Sequence, residues 1–356
     1  MLEDNKDYKI GGSKITSNME HFQKWKKGEN VGPLVIEVAP TYGCNHGCIH
    51  CGFQQFDPYG PNSMFKQTDH FKKFLEDFRS LGGVEVFFAG NGEPTLNPAL
   101  PEWFQYGHRI GLDMTMSTNG VPLINKNKME GILPYAKWIR FSVNGGTKED
   151  YAKVHACSED DFDRLVKVLE NGAKFKRDNN LDLQLIIQFI VYDLNWTSIK
   201  EIVDIHKKVG TDQLVFRKVI KDPNEHRVHF NPRIIDELKK IEGEKDVVVR
   251  WKTFAQQDES LRWKKCYGIN FRINMDHNGD LITCNRNLFK NSRFGNIHKQ
   301  SFIEIWNSQL RKDMYKAIED QIGIPDCARF CQTSFDNMLI EEELNRESCG
   351  ALAQGE

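Results

Sequence analysis

Six short apolar runs, each followed by a helical stripe or a glycine-rich turn, set the strongest limit on how this chain folds. The runs are Leu34–Pro40, Glu85–Gly90, Leu112–Ser117, Trp138–Val143, Leu183–Tyr192 and Gln213–Val219. Their near-continuous apolar character suits strands buried on both faces. Phe71, Phe74, Leu75 and Phe78 share one helical face between them. Phe162, Leu165, Val166 and Leu169 share another, with Ser158 as the expected N-cap. A third stripe follows Trp196 through Ile199, Ile202, Val203 and Ile205. Such alternation predicts an α/β fold with a parallel sheet and right-handed crossovers. The pattern stops near residue 230, so a partial TIM-like barrel of six units is expected rather than a closed one of eight.

After Phe230 the texture changes. Pro232–Ile241 reads as a helix, "FRINMDHNGDLITC" as a hairpin turning at His277-Asn278-Gly279-Asp280, and Ser301–Ile318 as a single helix. The expected division is an N-terminal extension over 1–33, a barrel over 34–230 and a small cysteine-bearing domain over 231–356. A net charge of −2 gives no electrostatic pull toward nucleic acid or anionic membrane. No run is apolar enough to span a bilayer, and the polar start MLEDNKDYKIGGSK is no secretory signal, so a cytoplasmic location is expected. In that reducing compartment the nine cysteines point to metal binding or chemistry rather than disulfides.

Cys44, Cys48 and Cys51 crowd into the loop "TYGCNHGCIHCGF", just after the first expected strand. Active sites of barrel-like α/β folds sit at the C-terminal ends of strands. "GNGEPTLNP", "STNG" and "SVNGG" follow the second, third and fourth strands, so four polar or glycine-rich signals share one rim. Three thiolates on one loop can hold three corners of a 4Fe–4S cube and leave one iron open to a small molecule. The competing reading is zinc, with His46 or His50 as fourth ligand.

The Cys44-x₃-Cys48-x₂-Cys51 spacing, with His50 before the last cysteine, resembles the radical S-adenosylmethionine enzymes. The resemblance covers about residues 34–220. It implies that the open iron takes the amino and carboxylate groups of S-adenosylmethionine (SAM). Gly92-Glu93-Pro94 then matches the motif holding the methionine ammonium. Ser117, Thr118 and Asn119 match positions near methionine and ribose, Ser142 and Asn144 match ribose-side contacts, and the backbone at His50 meets the adenine. Gln188 and Arg217, from the fifth and sixth strands, are candidates for the SAM carboxylate or the substrate, and Tyr42 and His155 are further candidates to line the same mouth. Cys157 is a candidate hydrogen-atom donor, with Cys349 its rival.

Cys266-x₁₂-Gly279-x₄-Cys284 resembles the twitch and SPASM extensions of the same family. That resemblance, closer to the single-cluster twitch form, implies one auxiliary 4Fe–4S cluster on Cys266, Cys284, Cys327 and Cys331, with Cys349 in place of Cys327 as a variant of the set and structural zinc as the alternative. "GNIHKQSFIEIW" looks like their link segment. The implied activity is abstraction of a hydrogen atom from an unactivated C–H bond, with a flavodoxin- or ferredoxin-type electron donor. The lead-in "HFQKWKKGENVGPLVIE" looks like that of radical enzymes found in polysaccharide and sugar pathways, a resemblance that implies a carbohydrate-type substrate, oxidised or epimerised. A ribosomal peptide substrate and a non-catalytic zinc-stabilised binding protein are the alternatives.

Overall fold

A computed structural model describes residues 14–51, 65, 67–219, 230–254, 263–284, 292–319, 331 and 333–352, with backbone alone at 252, 319 and 347–352. The strands are β1 (Val35–Val38), β2 (Glu85–Phe88), β3 (Asp113–Thr118), β4 (Ala136–Ser142), β5 (Gln184–Val191), β6 (Gln213–Lys218), β7 (Val247–Val249), β8 (Arg272–Met275), β9 (Asp280–Ile282) and β10 (Arg293–Asn296). The helices are α1 (Met19–Lys26), α2 (Thr68–Ser80), α3 (Leu100–Arg109), α4 (Lys126–Ile132), α5 (Lys148–His155), α6 (Asp160–Asp178), α7 (Ile199–Val209), α8 (Arg233–Lys240), α9 (Trp251–Phe254), α10 (Phe302–Asn307) and α11 (Gln309–Glu319), followed by Ser334–Leu352. Two compact units emerge. One is built on Val38–Thr68 and Val86–Gln256, the other on Gly12–Glu37, Asp69–Glu85 and Gln257–Glu356.

In the first unit β2 to β7 follow one another in chain order, and the pairs from β3 to β7 are parallel. This is the partial barrel the six apolar runs imply. A seventh, short strand extends it: Val247, Val248 and Val249 pair with Leu214, Val215 and Phe216. Three valines between charged flanks are too brief a run to stand out in sequence. Along β4, Ile139 and Phe141 are buried on one face while Trp138, Arg140 and Ser142 are half-buried on the other. Trp138 packs with Ile186, Val215 and Val248, and its ring lies 5.1 Å from that of Phe87. The helix α6 starts one residue later than expected. Glu159 occupies the N-cap, while the Ser158 hydroxyl accepts the Asp160 N–H at 3.2 Å.

In the second unit β8 and β9 form the expected hairpin, and β10 adds an antiparallel third strand. The Asp276 carboxylate accepts the N–H groups of Asn278 and Asp280, and Gly279 takes φ +76° to close the turn. Leu34 and Val35 donate to the Phe271 carbonyl. Ile15, Phe22, Leu34, Val35, Phe271 and Ile340 form the core here. The single helix expected over Ser301–Ile318 is two. Ser308 is extended at ψ 150°, and its hydroxyl accepts the Arg311 N–H at 3.2 Å, capping α11 where α10 ends. A serine side chain that bonds the next turn's backbone competes with helix continuation, which explains the break. Among the described residues no helix is long and apolar enough to cross a membrane.

Candidate active site

The cysteine loop leaves β1 and is clamped from below by α5. The last carbonyls of a helix have no partner within it. Those of Val154 and His155 accept the N–H groups of Ile49 and Gly47 at 3.1 and 3.0 Å. Ala156, in the left-handed region at φ +46°, ends the helix there. Cys48, between the two clamped residues, has its Sγ 3.1 Å from His155 Nδ1. The other His155 nitrogen donates to the Val143 carbonyl at 2.9 Å.

Burial raises the Cys48 thiol well above its ordinary pKa, and the neighbouring Cys44 and Cys51 push it further. Cys44 is pushed up to about 12, by burial first and then by Glu93. Three sulfurs close enough to repel one another as thiolates suit a positively charged iron centre that would hold them deprotonated.

The Gly92-Glu93-Pro94 turn closes over the same loop. Gly92 takes φ +74°, and a Cβ there would lie 2.5 Å from the Gly43 carbonyl oxygen and 2.6 Å from that of Thr41. Glu93 N–H donates to the Gly43 carbonyl at 2.9 Å. The Glu93 carboxylate is buried and accepts four hydrogen bonds. Oε1 takes the Thr95 N–H, the Thr95 hydroxyl and the Thr118 hydroxyl, and Oε2 takes the Asn119 N–H at 2.7 Å. Burial raises its pKa against the pull of those donors. Glu93 thus ties the turn after β2 to the turn after β3. Pro94 starts a short 3₁₀ turn over Pro94–Leu96.

Other rim residues are similarly committed. Thr118 Oγ1 also accepts the Gly120 N–H at 2.9 Å. Asn119 donates to Asn45 at 2.8 Å, accepts from the Val121 N–H and favours the Cys44 thiolate. Ser117 accepts the Arg140 Nε–H at 3.3 Å. Asn144, at φ +45°, accepts the Ile190 N–H at 2.8 Å, and its own carbonyl accepts from Asn195 at 2.9 Å. Its amide nitrogen faces His50 Nε2 at 3.5 Å. A donor on that side leaves the His50 proton on Nδ1, which faces the Tyr192 hydroxyl at 3.2 Å. Burial, with Arg217 nearby, lowers the His50 pKa to about 4, so the ring is neutral. Ser142 and Gln188 are register partners across β4 and β5, and Ile190 and Arg217 across β5 and β6. Hydrogen bonds thus join the cysteine loop to the turns after β2 and β3 through Glu93 and Asn119, and to the turn after β4 through His50 and Asn144.

Cys157 lies just past α5. Its Sγ, an atom of His46 and a carboxylate oxygen of Asp161 all fall within 4.8 Å of one another. Its thiol is pushed up to about 12, by burial first and then by Asp161. His46 is buried, with Nε2 3.3 Å from Asp161, which also binds Arg164 at 2.8 Å. Sequence reading missed Tyr192, Asn195, Asp161 and Arg140. Asn195 alone left a signal, as a polar residue just past the β5 run.

In the second unit Cys266, Cys284 and Cys331 are electrostatic neighbours. Burial pushes Cys266 up to about 12, with Cys331 and then Cys284 adding to it. An all-sulfur donor set of this kind fits a fully ligated cluster. Cys327 lies outside the described residues, as does the side chain of Cys349.

The Radical SAM superfamily model matches residues 38–206, and an iron-sulfur cluster-binding domain model, SPASM, matches 266–332. Fe-coproporphyrin III synthase of Methanosarcina barkeri is 34% identical over 113 residues, 32% of this chain and 26% of that protein. PqqA peptide cyclase of Bradyrhizobium diazoefficiens is 25% identical over 184 residues, 51% of this chain and 45% of that one. Both matches span less than half of the relative's length. SuiB of Streptococcus suis bound to S-adenosylmethionine shares the fold, with a TM-score of 0.63 at 16% identity, over 87% of this chain and 74% of that one. The matched domains carry 4Fe–4S clusters and S-adenosylmethionine, so the zinc alternatives fall away. This chain belongs to the radical S-adenosylmethionine superfamily, in the subgroup with a SPASM-type cluster-binding extension.

Proposed function

We propose that this enzyme oxidises a peptide by removing a hydrogen atom from an unactivated C–H bond. Cys44, Cys48 and Cys51 hold the SAM-binding cluster, and Cys266, Cys284, Cys327 and Cys331 hold the auxiliary one. When bound, the first cluster and S-adenosylmethionine supply a 5′-deoxyadenosyl radical, and the protein's part is to bind, orient and shield. The turn at Gly92, Glu93 and Pro94 presents backbone carbonyls to the methionine ammonium, with the Glu93 carboxylate behind them. Ser117, Thr118, Asn119, Ser142 and Asn144 shape the methionine and ribose side, and the loop at His50 receives the adenine. Gln188 and Arg217 meet carboxylate groups of cofactor or substrate, a task for which a guanidinium fork is suited. A flavodoxin- or ferredoxin-type protein is the reductant, and 34–230 and 231–356 are the catalytic and auxiliary domains.

One observation carries oxidation over epimerisation: the second set of neighbouring, half-buried thiols, Cys266, Cys284 and Cys331. Oxidation leaves an electron to be removed after hydrogen abstraction, and an electron acceptor held by the same chain meets that need. Epimerisation needs only a returned hydrogen atom, for which Cys157 is the candidate donor. The peptide is preferred to a carbohydrate because one relative is a peptide cyclase and SuiB is also known bound to its precursor peptide.

Reconstituted enzyme, reduced anaerobically, would be given peptide and metabolite fractions while 5′-deoxyadenosine is measured. We expect stimulation that peptidase treatment of the fraction abolishes, and a product lighter by two hydrogens. Stimulation that survives peptidase but not periodate would replace the peptide with a sugar. One solvent deuterium on the product carbon in heavy water, lost in Cys157→Ala, would replace oxidation with epimerisation.

A further inference from the structure

Asn337 lies in the first turn of the helix Ser334–Leu352 and is fully buried. A buried amide must find partners on both sides, so its bonds fix its orientation. Oδ1 accepts the backbone N–H of Gly268 at 2.7 Å. A backbone N–H can only donate, so the oxygen is on that side and the NH₂ group is on the other. The NH₂ group faces Thr333 Oγ1 at 3.5 Å and Cys331 Sγ at 3.8 Å. The anchor is rigid. A Cβ on Gly268 would lie 2.4 Å from the Thr333 side chain, and Asn337 N–H is tied to the Thr333 carbonyl at 2.9 Å.

We propose that Asn337 is a positioning residue for the auxiliary cluster, donating an amide N–H to the ligand sulfur of Cys331 and so raising its reduction potential. Reduction adds negative charge that spreads onto the sulfurs, and a hydrogen-bond donor stabilises the more negative state more. The inference goes beyond the peptide reading and needs only that these cysteines hold a cluster.

Asn337→Asp keeps the shape and the acceptor for Gly268 but turns an oxygen toward the Cys331 sulfur. In the reconstituted enzyme, a redox titration followed by electron paramagnetic resonance should show the auxiliary potential lowered and that of the SAM-binding cluster unchanged. At a fixed potential the ratio of reduced to oxidised auxiliary cluster should fall about tenfold, equivalent to a shift of ~59 mV for one electron. In wild-type protein grown with asparagine ¹⁵N-labelled at the side-chain amide, pulsed resonance of the reduced auxiliary cluster should show a ¹⁵N coupling. An unchanged potential in cluster-replete Asn337→Asp overturns the proposal, as does absence of that coupling in wild type. Should the variant lose its cluster, the labelled wild type decides alone, by presence or absence of the coupling. Iron analysis of the wild type separates these outcomes from a chain that never holds the second cluster.

Discussion

Glu93→Gln tests whether the rim network holds the barrel's loops together. The substitution keeps shape and volume and replaces one carboxylate oxygen with NH₂. In one orientation the NH₂ faces the Asn119 N–H that Oε2 now accepts. In the flipped orientation it faces the Thr95 N–H that Oε1 accepts at 3.0 Å. Both are backbone donors and neither can turn into an acceptor, so every rotamer strands one N–H against another. The Thr118 hydroxyl, which donates to Oε1 while accepting from Gly120, loses a charged partner as well. A hydrogen bond to a charged group contributes about 1.5–3 kcal/mol, and a stranded buried donor costs about 1–3 kcal/mol. Loss of the carboxylate's own desolvation cost offsets part of this, since burial already raises its pKa. The net expectation is destabilisation by about 2–4 kcal/mol. With an m-value of about 2 kcal/mol/M in urea, the midpoint of the apo-protein should fall by roughly 1–2 M. A midpoint within a few tenths molar of wild type would refute the reasoning, because four donors could not then depend on that carboxylate.

Gly92→Ala should impair cluster loading and SAM binding together, because left-handed backbone costs a non-glycine residue about 1–2 kcal/mol before its Cβ meets the Gly43 and Thr41 carbonyls; normal iron content and normal SAM affinity by calorimetry would contradict this. In apo-protein, Cys157 with a pKa of about 12 holds ~1000-fold less thiolate near neutrality than an ordinary thiol, so its alkylation, followed by peptide mass spectrometry, should accelerate about tenfold per pH unit from pH 7 to 10. A plateau above pH 9 would show an unperturbed thiol. Cys266→Ala should lower iron from about eight to about four atoms per chain while 5′-deoxyadenosine formation from SAM persists at the other centre, and unchanged iron would remove Cys266 from the auxiliary set.

The parts of this fold legible in sequence are those whose signal is local. Strands buried on both faces announce themselves as apolar runs, so β1, β2, β5 and β6 fall inside the expected segments, β3 runs one residue past its segment and β4 begins two residues before its own, and Asn278-Gly279 marks the hairpin. Val247–Val249 escapes because its burial comes from pairing with β6, not from its own neighbours in sequence. Ser308 and Ser158 mislead in opposite ways. One serine breaks a stripe that otherwise reads as continuous helix, and the other bonds the first turn without occupying the cap. The rim motifs were legible as positions, since each follows a strand. Their partners were not. That Glu93 binds Thr118 and Asn119, or that His50 leans on Tyr192 and Asn144, follows from which strands adjoin and in what register.

The cysteine loop shows how a spacing acquires its physical meaning. Three residues separate Cys44 from Cys48 and two separate Cys48 from Cys51, and neither gap dictates a conformation by itself. The conformation comes from α5, whose unpaired terminal carbonyls lie under the loop and bind the residues on either side of Cys48. Gly47 and Ile49 thereby cap a helix that begins a hundred residues later, roughly speaking, and the helix end in turn sets the depth of the middle sulfur. The same turn of helix delivers His155 to that sulfur and Ala156 to the backbone of Gly47, 3.5 Å from where a Cβ would stand. A helix terminus is rigid and its carbonyl directions are fixed, so it can hold a short loop in one shape without any metal present. The backbone on both sides of Cys48 is fixed by the folding of the barrel, which meets part of the ordering cost that a floppy tripod would add to cluster assembly.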